Sequence, residues 1–471
     1  MARGRIRTAL GTGTLAVLVG WAALAAPQAT PVVERVTLSP AELREAATGA
    51  LKAGHPEIAY RYSDALVKRD ATDRTALLIR ARAARDLGQY DNAKQSAKAA
   101  WKQAETPEDK FSTSMIMAQT LSSAGQRTMA QLWLRRAAQH APTEALENRA
   151  IRDFRYVRSR NPWNTQFSFA ITPDSNVNNG TSEKYLSDDP DDFIGSQTEF
   201  SANSRPIPGM EIALGASTRY RFRETETHAN DLTFSTRFQH YVISSSDKRR
   251  LRTVEGNDYD FGYYEFGYAH RGKNREGRGE YRLFTTVGQN WYGGEEYSRY
   301  VDLAGGQTFY LENYRSIRVN LSARRTFGVT RSDLDEVNAS VSYRFPIGTS
   351  GILSTSLNAS IGESPNNAGD SYEAIGARAW YRLTKPVLGA RASFSVSARS
   401  KVHDDYVHGV LIRQVGREDM QYTADFLLVF DQIDYYGFNP TMRVSASRTD
   451  SNVTRLQAER FGINFGIQSA F

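Results

Sequence analysis

The sequence has no cysteine among its 471 residues. This absence excludes disulfide bonds, thiolate metal sites, a cysteine nucleophile and a lipid anchor on a cysteine of this chain. The sequence also has no Gly-x-Ser-x-Gly elbow, no phosphate-binding loop and no dinucleotide-binding fingerprint. We therefore expect a protein that is not an enzyme and that uses no cofactor.

Histidine is scarce as well, with seven in the chain. The residues that most resemble a set of metal ligands are His403, Asp404, Asp405 and His408. We expect them in a long solvated loop. The acidic run from Asp188 to Asp192 is also typical of a solvated loop, with binding of a divalent cation as the alternative. We therefore predict no metal site.

The first residues have the pattern of an export signal. Arg3, Arg5 and Arg7 precede an apolar stretch that ends in the small-residue pattern Ala23-Leu24-Ala25. Glycines within the stretch favour a cleaved signal peptide over an uncleaved membrane anchor, which is the alternative. Residues 1–26 are therefore assigned to a signal peptide and left out of the fold prediction.

The full chain of 471 residues is polar and aromatic at once. Its mean hydropathy is -0.52, yet it has 24 tyrosines and 22 phenylalanines. This mixture is typical of membrane β-barrels, because lipid-facing and water-facing residues alternate along every strand. The net charge of +7 could suit nucleic acid, but an exported chain rarely meets it, so no nucleic-acid partner is expected.

Residues 39–160 predict a domain of paired helices. Apolar residues recur there at spacings of three and four, and three glycines lie 34 and 37 residues apart, each followed five residues later by an alanine. This pattern resembles the tetratricopeptide repeat, in which a glycine ends the first helix and the alanine packs closely in the second. Three additional residues near Pro107 predict a longer connection, and a plain helical bundle that serves as a spacer is the alternative. The repeat-packing residues are Gly54, Ala59, Gly88, Tyr90, Ala93, Gly125, Ala130 and Pro142.

Residues 161–471 predict a transmembrane antiparallel β-barrel. Apolar and polar residues alternate with a period of two, in segments of ten to fifteen residues separated by turn residues. Asn464, Gly466 and Phe471 match the terminal signal of bacterial outer-membrane barrels. About fifteen candidate strands can be counted, and a barrel with both termini on one side needs an even number. We therefore predict fourteen strands, with sixteen as the alternative.

The predicted inner face of this barrel is basic. The residues opposite to the apolar positions are mostly serine, asparagine and arginine. Such a lumen could attract acidic polypeptide segments, anionic sugars or phosphate; alternatively, its arginines pair with acidic residues of the same lumen. The arginines in question are Arg318, Arg324, Arg344, Arg378, Arg382, Arg391, Arg399 and Arg443.

The start of the barrel carries the most specific resemblance. Pro162 and Trp163 open the first strand, and Asp174, Asn176, Val177 and Asn178 follow it. This stretch resembles the barrel start of the Slam family, the surface lipoprotein assembly modulators, also described as type XI secretion translocons. The resemblance implies a periplasmic tetratricopeptide-like domain, an outer-membrane barrel of fourteen strands and client proteins delivered to the surface or medium. From the residues alone, we favour capping of turns by the Asp and Asn side chains, and direct client contact is the alternative.

We therefore expect an outer-membrane translocon with its helical domain in the periplasm. The expected partners are an exported client protein, the barrel assembly machinery, outer-membrane lipid and, in addition, periplasmic chaperones. Two alternatives of other classes are an exopolysaccharide export barrel and a passive porin. The exporter usually has a longer repeat array than this chain can hold.

Overall fold

The computed structural model describes residues 37–187, 195–245, 251, 254–274, 277–408, 414–433 and 435–469. The predicted signal peptide, the acidic run from Asp188 to Asp192 and Phe471 of the terminal signal lie outside the described residues. None of the helices in these ranges is long and apolar enough to cross a membrane.

The described part of the chain begins with seven helices. Side chains fix where four of these helices start. Ser39 and Glu42 form a capping box at the first helix. The side chains of Asp73, Thr106 and Thr143 accept hydrogen bonds from backbone N–H groups at the starts of the third, fifth and seventh helices. The helices are α1 (Pro40–Lys52), α2 (Pro56–Arg69), α3 (Arg74–Asp86), α4 (Tyr90–Lys102), α5 (Pro107–Ser123), α6 (Arg127–Gln139) and α7 (Glu144–Arg160).

The first six helices form three hairpins. Gly54, Gly88 and Gly125 follow α1, α3 and α5 with φ between +75° and +78°, a left-handed conformation that ends a helix at little cost only for glycine. Ala59, Ala93 and Ala130 are fully buried where the helices of each hairpin meet. Tyr90 begins α4, and Pro142 lies in the connection between α6 and α7.

The longer connection predicted near Pro107 is wrong. Residues 103–106 join α4 to α5, which is as short as the α2–α3 connection at residues 70–73. The additional residues instead extend α5, which has 17 residues where α3 has 13. Pro107 takes the first helical position, where its missing N–H costs nothing, so it starts this helix and does not lengthen the loop.

A closed antiparallel barrel of fourteen strands follows, and each strand pairs with its neighbours in the chain while β1 pairs with β14. This confirms the predicted fold class and strand number, and the alternative of sixteen is wrong. The strands are β1 (Trp163–Asp174), β2 (Gly209–Glu224), β3 (His228–Ile243), β4 (Phe261–Lys273), β5 (Gly279–Tyr292), β6 (Glu295–Tyr310), β7 (Ser316–Gly328), β8 (Leu334–Ile347), β9 (Gly351–Glu363), β10 (Tyr372–Leu383), β11 (Arg391–His408), β12 (Gln414–Val429), β13 (Phe438–Ser451) and β14 (Ala458–Ser469).

The outer face of the barrel is apolar. Phe167, Leu357 and Ile375 expose about two thirds of their surface there, which is stable only if that surface meets lipid. The residues between them along each strand turn to the lumen. The alternation in the sequence thus sets which face meets lipid and which meets water.

The two ends of the barrel differ in their connections. At the near end, where β1 begins after α7, the connections are short, for example residues 348–350 between β8 and β9. At the opposite, far end, residues 175–208 join β1 to β2 and residues 244–260 join β3 to β4. Described residues of these two connections share a small apolar core with Tyr241 and Ile243 of β3.

The predicted loop around His403 is also wrong. His403, Asp404, Asp405 and His408 belong to β11, the longest strand, which pairs with β12 and changes register between His403 and Val407. The alternation is disturbed at this irregularity, and the sequence therefore looks like a loop. In the described ranges, no three His, Asp or Glu side chains come close enough to hold a metal ion.

Candidate functional site

The junction of the two domains is built by Asn161, Pro162 and Trp163. The Asn161 side chain donates a hydrogen bond of 3.0 Å to the Thr128 hydroxyl of α6, and the Pro162 carbonyl accepts one of 2.8 Å from the Arg221 backbone on β2. The Trp163 ring lies 4.7 Å from the Tyr220 ring on the outer face. Pro162 and Trp163 thus anchor β1 at the near end, with aromatic rings where a barrel meets the membrane interface.

The helical domain also docks on the barrel at the β12–β13 turn. Arg135 of α6 donates hydrogen bonds of 2.5 and 3.1 Å to the backbone carbonyls of Gly437 and Tyr436, and its guanidinium lies over the Phe438 ring. The Tyr436 N–H donates to the Gln139 side chain at 2.7 Å. These contacts hold the repeats against the near end of the barrel, beside strand β14, which pairs with β13.

The motif after β1 folds the far-end connection onto the barrel. Asn176 is fully buried. Its side-chain NH₂ group donates hydrogen bonds to the backbone carbonyls of Gly180 and Glu459. Its side-chain oxygen accepts a hydrogen bond from the Gly180 N–H. Asn178 accepts from the Ile207 N–H and donates to the Arg205 carbonyl. Val177 packs in the apolar core that these turns create. The side chains of this motif are therefore used to cap turns.

Asp174 connects the same motif to the last strand. Arg460 of β14 forms an ion pair with Asp174, with its Nε 2.6 Å from Asp174 Oδ2. Glu211 lies 4.0 Å from the same guanidinium and accepts a hydrogen bond from the Tyr241 hydroxyl. Asp174 and Glu211 are both buried. Arg460, together with Arg237 at 3.5 Å from Glu211, compensates this acidic pair.

Among the described residues, the seam between β1 and β14 has the shortest ladder of paired positions in the barrel. Its paired positions are Phe169 with Ile467, Ala170 with Gly466, Ile171 with Phe465 and Asp174 with Gly462. The other strand pairs each have at least ten paired positions in the described residues.

A proline weakens this ladder further. The Ser175 N–H donates to the Phe461 carbonyl of β14, and residues two apart along a strand face the same neighbour. Pro173 therefore turns its nitrogen toward β14, where it has no hydrogen to donate. The seam is held mainly at its far end, by the ion pair and the contacts of Asn176.

The seam separates two very different surfaces. On the lumen side lies a cavity of about 740 Å³ whose lining includes Asp174, Glu211, Arg237, Arg443 and Arg460. On the lipid side lies a groove of about 330 Å³ lined mainly by apolar side chains, which include Phe167, Phe169, Leu214, Phe238, Phe438 and Ile467. Of the terminal-signal residues, Asn464 donates to the Thr172 hydroxyl across the seam, and Gly466 pairs with Ala170. A short ladder is thus all that separates a charged lumen from the lipid face.

The eight predicted lumen arginines all lie on the strand face opposite to the apolar residues, and they fall into two groups. Three of them form ion pairs: Arg324 with Asp302 at 3.1 Å, Arg391 with Asp431 at 3.1 Å and Arg443 with Asp425 at 3.9 Å. The other five have no carboxylate oxygen within 4.0 Å among the described residues, and they are Arg318, Arg344, Arg378, Arg382 and Arg399.

A buried ion cluster on β2–β4 was missed by the sequence reasoning. Asp231 is fully buried and lies within 4.0 Å of the guanidinium groups of Arg219, Arg221 and Arg271. The regular spacing of Arg219 and Arg221 on one strand face was a usable signal.

The family model of the surface lipoprotein assembly modifiers matches residues 163–461. No match was found among curated protein sequences. Among solved structures, CdiB from Acinetobacter baumannii is similar, with 11% identity, a TM-score of 0.35 and coverage of 64% of this chain and 60% of that chain. A bacterial polysaccharide outer membrane secretin has 7% identity, a TM-score of 0.33 and coverage of 65% and 98%. The type III secretion translocator chaperone SycD of Yersinia enterocolitica has 20% identity, a TM-score of 0.23 and coverage of 26% and 83%.

The family match runs from the first residue of β1 into β14 and confirms the resemblance seen in the sequence. It agrees with an outer-membrane barrel that acts in surface lipoprotein assembly. The chain belongs to the surface lipoprotein assembly modifier family.

Proposed function

We propose that this protein is an outer-membrane translocon that delivers specific client proteins, lipidated or soluble, to the cell surface or medium. The proposal is supported by the family match over the barrel and by a helical repeat domain docked at the near end of that barrel. It is a transport function without a catalysed reaction and without a cofactor.

The helical domain is proposed to receive the client in the periplasm. Stacked helical hairpins leave a concave surface that commonly holds a peptide. Arg135 and Gln139 fix the third hairpin to the β12–β13 turn. A client bound in the repeats is therefore held next to the barrel mouth, and its effective concentration there is raised.

A lipidated client needs separate routes for its polypeptide and its acyl chains. Burial of acyl chains is worth about 0.8 kcal/mol per CH₂ group, so transfer of these chains into a charged lumen is unfavourable. The seam offers the alternative: its lipid side is an apolar groove, its lumen side is a polar cavity, and the ladder between them is short. We propose that the polypeptide uses the lumen while the lipid anchor moves along an opened seam.

Directionality must come from the client, because no ATP is present at the outer membrane. Folding of the client outside the cell, together with its binding on the surface, would prevent its return. The acidic and basic lumen residues then need to bind the chain only weakly, since a strongly bound segment would not leave.

The test compares the surface proteins accessible to protease and the proteins of the medium in cells with and without this gene. We expect one or a few specific proteins to be lost from the exterior and to accumulate in the periplasm. A variant without residues 39–160 should show the same loss, while barrel assembly is followed separately by heat-modifiable mobility. An unchanged protein profile with altered surface carbohydrate, or with altered solute uptake, would favour a polysaccharide exporter or a porin instead.

A further inference from the structure

Six lumen arginines on β5, β7, β8, β10 and β11 have no carboxylate oxygen within 4.0 Å among the described residues. On β5 and β7, Arg282 donates to the Asn320 amide oxygen and Arg318 to the Thr308 hydroxyl. On β10 and β11, Arg378 donates to the Ser395 hydroxyl and Arg399 to that of Ser360. Arg344 and Arg382 complete this arginine strip, whose six members are Arg282, Arg318, Arg344, Arg378, Arg382 and Arg399.

The strip contrasts with the remainder of the lumen. On β2–β4, β13 and β14, lumen arginines form ion pairs with Asp231, Glu211, Asp425 and Asp174. None of the six strip arginines has a carboxylate oxygen within 4.0 Å in the described part of the chain. Self-pairing, expected as the alternative, therefore accounts for part of the lumen, including Arg324 and Arg391 on the strip's own strands. It does not account for the six arginines of the strip.

Arg318 and Arg378 of the strip lie in one row of the barrel register, and several members of the strip are open to the lumen. The register places Arg318 opposite Ser342, Ser342 opposite Ser356, and Ser356 opposite Arg378. With neighbouring strands about 4.8 Å apart, roughly 14 Å separate the two guanidinium-bearing strands. Arg344, Arg378 and Arg382 are exposed, although they lie on the face turned away from lipid.

We propose that the arginine strip binds an acidic segment of the client polypeptide as it passes through the lumen. This inference rests on the proposed function and adds the chemical class of the segment. Spaced guanidinium groups attract carboxylates along an extended chain, and the serine and asparagine side chains between them can donate to and accept from its backbone. A solvated lumen screens each pair, so the segment is attracted but can still move on.

The test measures binding of a fluorescent peptide of twenty glutamates to the purified full-length protein in a zwitterionic detergent, by fluorescence anisotropy. We expect binding that weakens as salt rises, and no binding of a peptide of twenty serines. The variant R318Q/R344Q/R378Q should bind the glutamate peptide about tenfold more weakly. The matched control R391Q/D431N removes a paired arginine together with its partner and should bind as the unchanged protein does.

Several results would overturn this inference. They are absence of binding, equal binding by the triple variant, or tighter binding of a sulfated oligosaccharide with the same charge, which would identify the strip as a sugar site. Heat-modifiable mobility of each variant shows that its barrel is folded. The surface-protein comparison is scored independently. If clients are lost from the surface but the glutamate peptide does not bind, only the role of the arginine strip is refuted. If the peptide binds but no client is lost from the surface, the translocon function is refuted.

Discussion

Arg460 of β14 reaches across the barrel seam to Asp174 of β1, with its Nε 2.6 Å from the carboxylate. The pair closes the barrel at the far end, where the β1–β2 connection folds back through Asn176. Asp174 belongs to the family motif, and Arg460 lies in the last strand. One ion pair thus joins the first and last strands at the place where the backbone ladder is weakest.

Removal of one partner of this pair should destabilise the barrel. We expect D174N to lower the free energy of unfolding by about 2–3 kcal/mol, less than for a fully buried pair because the Arg460 side chain remains 35% exposed. Urea unfolding in detergent, followed by tryptophan fluorescence, measures this change. The control R448Q breaks a pair between Arg448 and Asp450 that is exposed on both sides and should cost less than about 1 kcal/mol. Equal costs for the two variants would contradict the assigned role of Asp174.

Locking the seam should stop delivery of lipidated clients. The side chains of Thr172 and Asn464 touch across the seam at 2.7 Å, and the sequence has no cysteine to interfere. T172C/N464C should form a disulfide under oxidation, since these positions lie directly opposite each other. We expect surface delivery to fall on oxidation and to recover on reduction.

The matched control for the lock is T165C/T218C. These hydroxyls lie 2.8 Å apart on β1 and β2, so the same chemistry is placed on the other side of β1. Delivery should continue through this cross-linked barrel. If both cross-links leave delivery unchanged, the seam is not on the route of the lipid.

Undocking the helical domain should weaken delivery without weakening the barrel. R135A removes the hydrogen bonds to the carbonyls of Tyr436 and Gly437 and the contact with the Phe438 ring. We expect faster hydrogen exchange at residues 435–437 and less client at the surface, with barrel unfolding unchanged. R136A on the same helix is the control, because Arg136 lies over Trp101 and Trp133 within the helical domain. Unchanged exchange in R135A would show that this contact does not hold the domains together.

Docking should also weaken in acid because of His140. This ring lies between Trp101 and Tyr436, and burial, together with Lys110 and Arg136, lowers its pKa below the usual value. The folded state therefore favours the neutral ring. The neutral His140 ring stabilises docking fully at pH values above the pKa of histidine in the unfolded chain, which is about 6.5. This stabilisation is lost as the pH falls toward the lower pKa of His140 in the folded protein.

The measurement is hydrogen exchange at residues 435–437 at pH 7.5 and pH 5.5, corrected for the intrinsic pH dependence of exchange. Protection should be lower at pH 5.5 in the unchanged protein. H140Q, which cannot be protonated, should remove most of this difference. A difference that persists in H140Q would assign the pH dependence to another group.

The sequence was sufficient for features that depend on local periodicity. Alternation over segments such as Phe461 to Ile467 depends on one strand alone, and the glycine–alanine spacing from Gly88 to Ala93 depends on one hairpin. The fourteen strands and three hairpins could therefore be predicted. The β11 residues around His403 were misread because a register irregularity interrupts their alternation.

Pairing inside the lumen could not be predicted in the same way. Arg443 pairs with Asp425, whereas Arg344 has no carboxylate oxygen within 4.0 Å among the described residues. This difference depends on the register between strands, which arises from the whole barrel. The seam was also hidden, because its weakness combines Pro173 with strand ends that are distant in the sequence. Sequence could thus indicate a basic lumen without showing which of its arginines are paired.

Reconstitution in liposomes shows whether this protein alone carries a client across a membrane. The purified full-length protein is inserted into liposomes, and a client found by the surface-protein comparison is enclosed within them without ATP. We expect the client to become accessible to external protease only in liposomes that contain the protein. Oxidised T172C/N464C should prevent this for a lipidated client. A client that stays protected although the barrel is folded and correctly oriented would contradict the translocon function.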